Sequence, residues 1–111
     1  RKLSSLRSKG VLILGSGNIV HNLSHLDWNM NSGYPWAQEF DSYIKENIIK
    51  RQFDKVIDYS KVKSSELAFY TPDHFYPLLY VLGASNNEDE LLIFNDSCVL
   101  GSLSMTCCLF E

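Results

Sequence analysis

Apolar and polar positions follow changing periods along this chain, and each change marks an element. Val11-Leu12-Ile13-Leu14 is a continuous aliphatic run ending in Gly15-Ser16-Gly17-Asn18. Four aliphatics bounded by a glycine turn predict a buried strand entering a loop, as in an α/β layer. Ahead of it, Leu3 and Leu6 have the spacing of a last apolar helical turn. Residues 27–36 are rich in Asn, Gly, Ser and Pro and predict a loop. From Ala37 to about Lys50, Phe40, Tyr43, Ile44 and Ile48 recur at helical spacing, with Glu39, Asp41, Lys45 and Glu46 on the other side. A second short helix, about Gln52 to Tyr59, would bury Phe53, Val56 and Ile57, and Lys61 to Phe69 is a connector with room for a helical turn.

Thr71-Pro72-Asp73-His74 has the residues of a helix start. Thr is a good N-cap, Pro suits the first helical position, and Asp in the first turn complements the dipole. The helix should bury Phe75, Leu78, Leu79 and Leu82 and stop at Gly83. Pro77 then falls well inside it, where a kink or a tight first turn is required. After a polar turn over 86–90, Leu91–Asn95 and Gly101–Phe110 predict two strands of a hairpin. The elements together predict an α/β fold, a sheet flanked by helices, in a single domain spanning residues 1–111.

Composition narrows the class. A hydrophobic fraction of 45% is ordinary for a globular chain. The net charge of −3 is unevenly spread. All ten Lys and Arg lie in residues 1–63, whereas residues 64–111 carry seven acids and neither basic residue. Such a distribution is not a nucleic-acid footprint; it reads either as scattered solvated charge or as halves that each face further polypeptide. Cys98, Cys107 and Cys108 have no disulfide-framework or zinc spacing, so they are expected as reduced packing residues in a cytoplasmic protein. The longest nearly apolar stretch, Phe75 to Ala84, contains Pro77 and is far short of the ~20 residues a bilayer needs. No membrane partner is expected.

Three groups could carry chemistry. Gly15-Ser16-Gly17 suggests a phosphate loop, but Val20 stands where the dinucleotide fingerprint needs Gly or Ala. His21 follows that loop, where open α/β sheets place their sites, and can serve as metal ligand, proton acceptor or simple surface residue. His25 lies four residues on, yet no Glu stands between them and nothing fixes 21–25 as helix. His74, at a helix start, sits where the dipole favours neutral imidazole, the form that binds metal, though it could equally cap its own helix.

Five blocks in order then resemble one family. These are Gly15-Ser16-Gly17-Asn18-Ile19-Val20-His21-Asn22-Leu23, Tyr34-Pro35-Trp36-Ala37, Thr71-Pro72-Asp73-His74-Phe75-Tyr76-Pro77-Leu78-Leu79, Val81-Leu82-Gly83-Ala84 and Gly101-Ser102-Leu103-Ser104-Met105. They resemble successive motifs of the class III (LigB-type) extradiol ring-cleavage dioxygenases, in particular the DOPA 4,5-dioxygenase-like subgroup. The resemblance implies a mixed sheet flanked by helices. It also implies one divalent ion, Zn2+ or Fe2+, and opening of a small aromatic diol with insertion of both atoms of O2. His74 is then expected as a metal ligand and His21 as a ligand or as the catalytic base, with Asp73 a candidate partner of an imidazole. The sequence departs from the family at Phe69-Tyr70, which can reshape the pocket rim.

The family's other metal histidines precede the matched blocks, and this chain begins at Arg1 rather than Met. It is therefore expected to be the C-terminal portion of a catalytic domain, nearly inactive and weakly metal-binding alone, associating with the missing N-terminal half or with itself. The alternative is a truncated homologue that acts as a non-catalytic interaction or dimerisation module.

Overall fold

A computed structural model describes residues 2–111; Arg1, at the start that suggested a longer polypeptide, lies outside the described residues. The helices are α1 (Ser4–Arg7), α2 (Pro35–Ile49), α3 (Phe53–Ile57), α4 (Ser65–Ala68) and α5 (Tyr76–Ala84). The strands are β1 (Leu91–Phe94), β2 (Cys98–Val99), β3 (Leu103–Ser104) and β4 (Cys107–Phe110). The fold is α/β, with small antiparallel sheets flanked by helices. Its ladders pair β1 with β4 and β2 with β3, while parallel contacts occur as isolated bridges, His21 with Phe69 and Gly33 with Gly101.

Pro35 opens α2 with a fixed φ and no amide left unpaired, and the apolar stripe of the helix turns inward as expected. Ala37, Phe40, Ile44 and Ile48 are buried. The helix is terminated at Arg51, a non-glycine residue at φ 58°, and the guanidinium compensates for that strained backbone. It donates to the carbonyls of Asn86 and Asp89 and lies over the Phe110 ring, 5.1 Å from its centroid. In α3, Val56 is buried but Ile57 is exposed. One and a half turns cannot aim both neighbours at the same core.

The Thr71 segment does not form one helix. Pro72–His74 is a single 3-10 turn, and α5 restarts at Tyr76, so Pro77 falls in a first turn where its missing N–H is harmless. The Thr71 hydroxyl caps no amide; it donates to the Asp73 carboxylate instead. Phe75, fully buried at the break, packs with Phe40, Tyr59 and Phe69 at ring separations of 4.8–5.9 Å. That aromatic cluster lies under both histidine segments, since Phe69 bridges His21 and Phe75 follows His74.

Two expectations are corrected. Val11–Leu14 is not a buried strand. Leu12 and Leu14 are 80% and 84% exposed, and among the described residues no strand pairs with the run. A fully apolar strand needs neighbours on both edges and a layer on each face, and the described residues do not supply them. The predicted 101–110 strand is broken into β3 and β4, because a short β2–β3 hairpin is inserted between the outer partners β1 and β4. The uneven charge also acquires a partial internal explanation. Arg7 pairs with Asp89 and Lys45 with Asp96, so the basic half folds against the acidic half.

Candidate active site

His21 is gripped through its backbone from two sides. Its N–H donates to the Ala68 carbonyl at 2.8 Å, and it forms a parallel bridge with Phe69 and an antiparallel bridge with Leu103. Its chain neighbours are clamped too. Ser104 N–H donates to the Val20 carbonyl at 2.9 Å, and Asn22 N–H donates to the Ser102 carbonyl at 3.1 Å. Asn22 is itself buried, donating through Nδ2 to the Leu67 carbonyl at 2.8 Å and accepting from the Ser24 hydroxyl at 2.6 Å. No helix follows the glycine loop directly; the next element is a 3-10 turn at Leu23–His25. That removes both the dinucleotide reading, which needs a helix start, and the helical pairing of His21 with His25. The His25 ring instead meets the edge of Trp36, centroids 5.9 Å apart.

His74 closes the 3-10 turn, and its carbonyl accepts the Asn18 N–H at 2.8 Å. Gly17 lies against that same carbonyl, so closely that a Cβ there would be 2.0 Å from the oxygen. This glycine serves a close approach of two chains rather than a phosphate. Asp73 Oδ2 stands 3.3 Å from His74 Nδ1. The contact gives structural content to the expected carboxylate partner.

The two imidazoles that the sequence singled out meet. Their centroids are 3.8 Å apart and their planes differ by 5°, a face-to-face stack. Burial lowers the pKa of His21, and repulsion from His74 adds to the shift. Asp73 titrates below its ordinary range, held there by the Thr71 hydroxyl first, then by a backbone amide. A groove of about 590 Å³ opens beside His74 and runs past Asn18, Leu14, Leu78, Val81 and Phe110, with an apolar lining. His21 is not part of that lining.

The donor chemistry suits a divalent ion, but the donor count does not. Among the described residues no group of three His, Cys, Asp or Glu is arranged to hold a metal, whereas protein zinc sites use at least three such ligands. Cys98 and Cys108 are removed from consideration by burial, which pushes both thiols up to about 11. The sequence reading passed over the polar frame of Asn18, Asn22, Ser102, Ser104 and Asp41. Its sequence signal is that Asn18 and Asn22 share a block with His21 and that Ser102 and Ser104 lie in the last block; nothing marked Asp41.

Comparison with known proteins points in one direction. Residues 1–98 match the family described as the catalytic LigB subunit of aromatic ring-opening dioxygenase. The chain is 38% identical over 109 residues to a protein of Escherichia coli K12 named 4,5-DOPA dioxygenase extradiol, covering 95% of this chain and 40% of that protein. It is 31% identical over 96 residues to the Beta vulgaris protein of the same name, covering 86% and 36%. A crystal structure of an uncharacterized Escherichia coli K12 protein superposes with a TM-score of 0.87 at 36% identity, covering 96% of this chain and 46% of that one. The chain thus spans about two fifths of the length of the curated relatives it matches.

Proposed function

This chain belongs to the LigB family of aromatic ring-opening dioxygenases, and on that footing we propose that it is the C-terminal portion of the catalytic domain of an extradiol dioxygenase. The enzyme opens a catechol or DOPA-like ring and inserts both atoms of O2, using Zn2+ or Fe2+. His74 contributes one metal ligand and His21 accepts a catechol proton. The remaining ligands come from polypeptide outside residues 1–111. When bound, the ion would supply Lewis acidity to the diol oxygens; this chain would supply the His21 imidazole as the proton acceptor.

The stacked imidazole pair carries this reading. An imidazole nitrogen directs its lone pair in the ring plane, and a zinc–nitrogen bond is about 2.0–2.1 Å. One ion cannot lie in two parallel planes whose ring centroids are 3.8 Å apart. The arrangement therefore favours one ligand and one free base over two ligands. His74 suits the ligand role, because Asp73 faces its Nδ1 and leaves Nε2 available, the usual carboxylate–histidine–metal order. His21 suits the base role, because it stacks directly on that ligand while the Asp73 carboxylate faces His74 instead, and burial with its neighbour shifts its pKa downward, away from the protonated form.

The test grafts this chain onto the Escherichia coli relative in place of the matched segment. His74→Ala should empty the metal site, while His21→Ala should retain metal and lose ring opening. Equal metal loss in both would refute the division of roles, and ring opening that survives both substitutions would refute the site. The isolated chain should bind Zn2+ weakly and open catechol slowly or not at all. The non-catalytic alternative draws on the exposed Val11–Leu14 run, which would suit a dimer contact; a graft that restores ring opening would remove it.

A further inference from the structure

The structure assigns Asn18 as a positioning residue: one side chain and its own amide hold the His21 and His74 segments at the separation that stacks the two rings. The inference rests on the proposed roles of that pair but not on any metal being bound. The Asn18 N–H donates to the His74 carbonyl at 2.8 Å, and its Nδ2 donates to the Ser104 carbonyl at 2.7 Å. Ser104 in turn donates its N–H to the Val20 carbonyl at 2.9 Å, the residue before His21. Asn18 thus stands between two segments far apart in sequence and fixes both.

The far end of this bracket is anchored. The Ser104 hydroxyl donates to Asp41, which is 4% exposed on α2, and the Thr106 hydroxyl donates to the other oxygen of the same carboxylate at 3.1 Å. A continuous line of hydrogen bonds therefore runs from the central helix through β3 and Asn18 to the backbone of His74. Gly17 permits the approach, since no other residue fits against the His74 carbonyl. Asn is needed beside it because Asp would present a carboxylate to the Ser104 carbonyl, and Ala would present no donor at all.

Asn18→Asp and Asn18→Ala, made in the 111-residue chain, test this by proton NMR of the imidazoles. In the unaltered chain the His21 and His74 ring protons should show a mutual cross-relaxation peak and ring-current displacement. Both signatures should be lost in either variant. Val56→Ala is the control, a truncation of a buried α3 side chain that makes none of the bracket's hydrogen bonds; it lowers stability and should leave both signatures in place. Retention of the ring contact in Asn18→Asp would overturn the assignment, as would its equal loss in the Val56→Ala control. Asn18→Asp keeps the backbone bond and the side-chain size, so it serves where Asn18→Ala does not fold. Zn2+ affinity of the grafted protein separates the two proposals: if the graft holds no metal, the functional reading fails while the ring contact still decides the part played by Asn18.

Discussion

Replacing Gly17 with alanine should drive the two imidazole segments apart. The added Cβ would sit 2.0 Å from the His74 carbonyl oxygen, 3.1 Å from its carbon and 3.3 Å from Pro77 Cγ. Non-bonded heavy atoms prefer about 3.5 Å or more, so the overlap exceeds about 1 Å. The obstacle is backbone on a turn packed over the aromatic cluster, not the tip of a flexible side chain. Rotation of a side chain offers no escape here. Relief requires the 15–18 segment to withdraw, which breaks the 2.8 Å bond from Asn18 N–H to His74. A lost hydrogen bond is worth about 1 kcal/mol and a forced overpacking about 1–3 kcal/mol, for a total of about 2–4 kcal/mol.

Urea unfolding measures this directly. With a slope of about 1–3 kcal/mol per molar for a small protein, the midpoint should fall by on the order of 1–2 M. Gly83→Ala is the matched control. An added Cβ there would meet no atom of another part of the chain within 4 Å, the position lies inside α5, and the variant should gain up to about 1 kcal/mol from helix propensity. The His21–His74 ring contact should disappear in Gly17→Ala and persist in Gly83→Ala. Equal midpoints for the two variants would show that the close approach of Gly17 to His74 is not a feature of the folded chain.

Three further outcomes follow from the same contacts. Arg7→Ala strips Asp89 of its guanidinium partner in a part-buried pair and should cost about 1.5–3 kcal/mol by thermal unfolding. Because Arg7 lowers the pKa of Asp89, that stabilisation is complete above the unfolded value near ~3.9 and lost as pH falls through the folded value, so the variant should show a flatter acid limb. His21 should titrate by NMR below the ~6.5 of a free imidazole; its depressed folded pKa means stability is full above ~6.5 and falls as pH drops through the folded value. A His21 midpoint at or above ~6.5 would contradict the burial and the stack. Phe75→Ala empties a fully buried site among three aromatic rings and should cost about 3–5 kcal/mol, with loss of the ring contact at the adjacent His74.

What the sequence determined by itself is local. The stripe of Phe40, Ile44 and Ile48 and the leading Pro35 specify α2 almost to its ends, because helical period and proline geometry act within a few residues. The five motif blocks marked His21 and His74 as a pair and named the family. Pro77 signalled a break, and the structure places that break at Phe75. The order of the outer hairpin was also legible, although the inserted β2–β3 turn was not.

Only the tertiary structure decided how these pieces face one another. Periodicity tells which side of a segment is apolar but not what covers it, so Val11–Leu14 reads as a buried strand and is found exposed. Charge counts show two unlike halves but not that Arg7 reaches Asp89 or Lys45 reaches Asp96. The stack of His21 on His74 depends on a bracket of hydrogen bonds from Asn18 and β3 that spans distant segments, and no local spacing encodes a contact that chain closure creates. The two histidines of the proposed site were marked by the sequence blocks, and their face-to-face stack came from the packing.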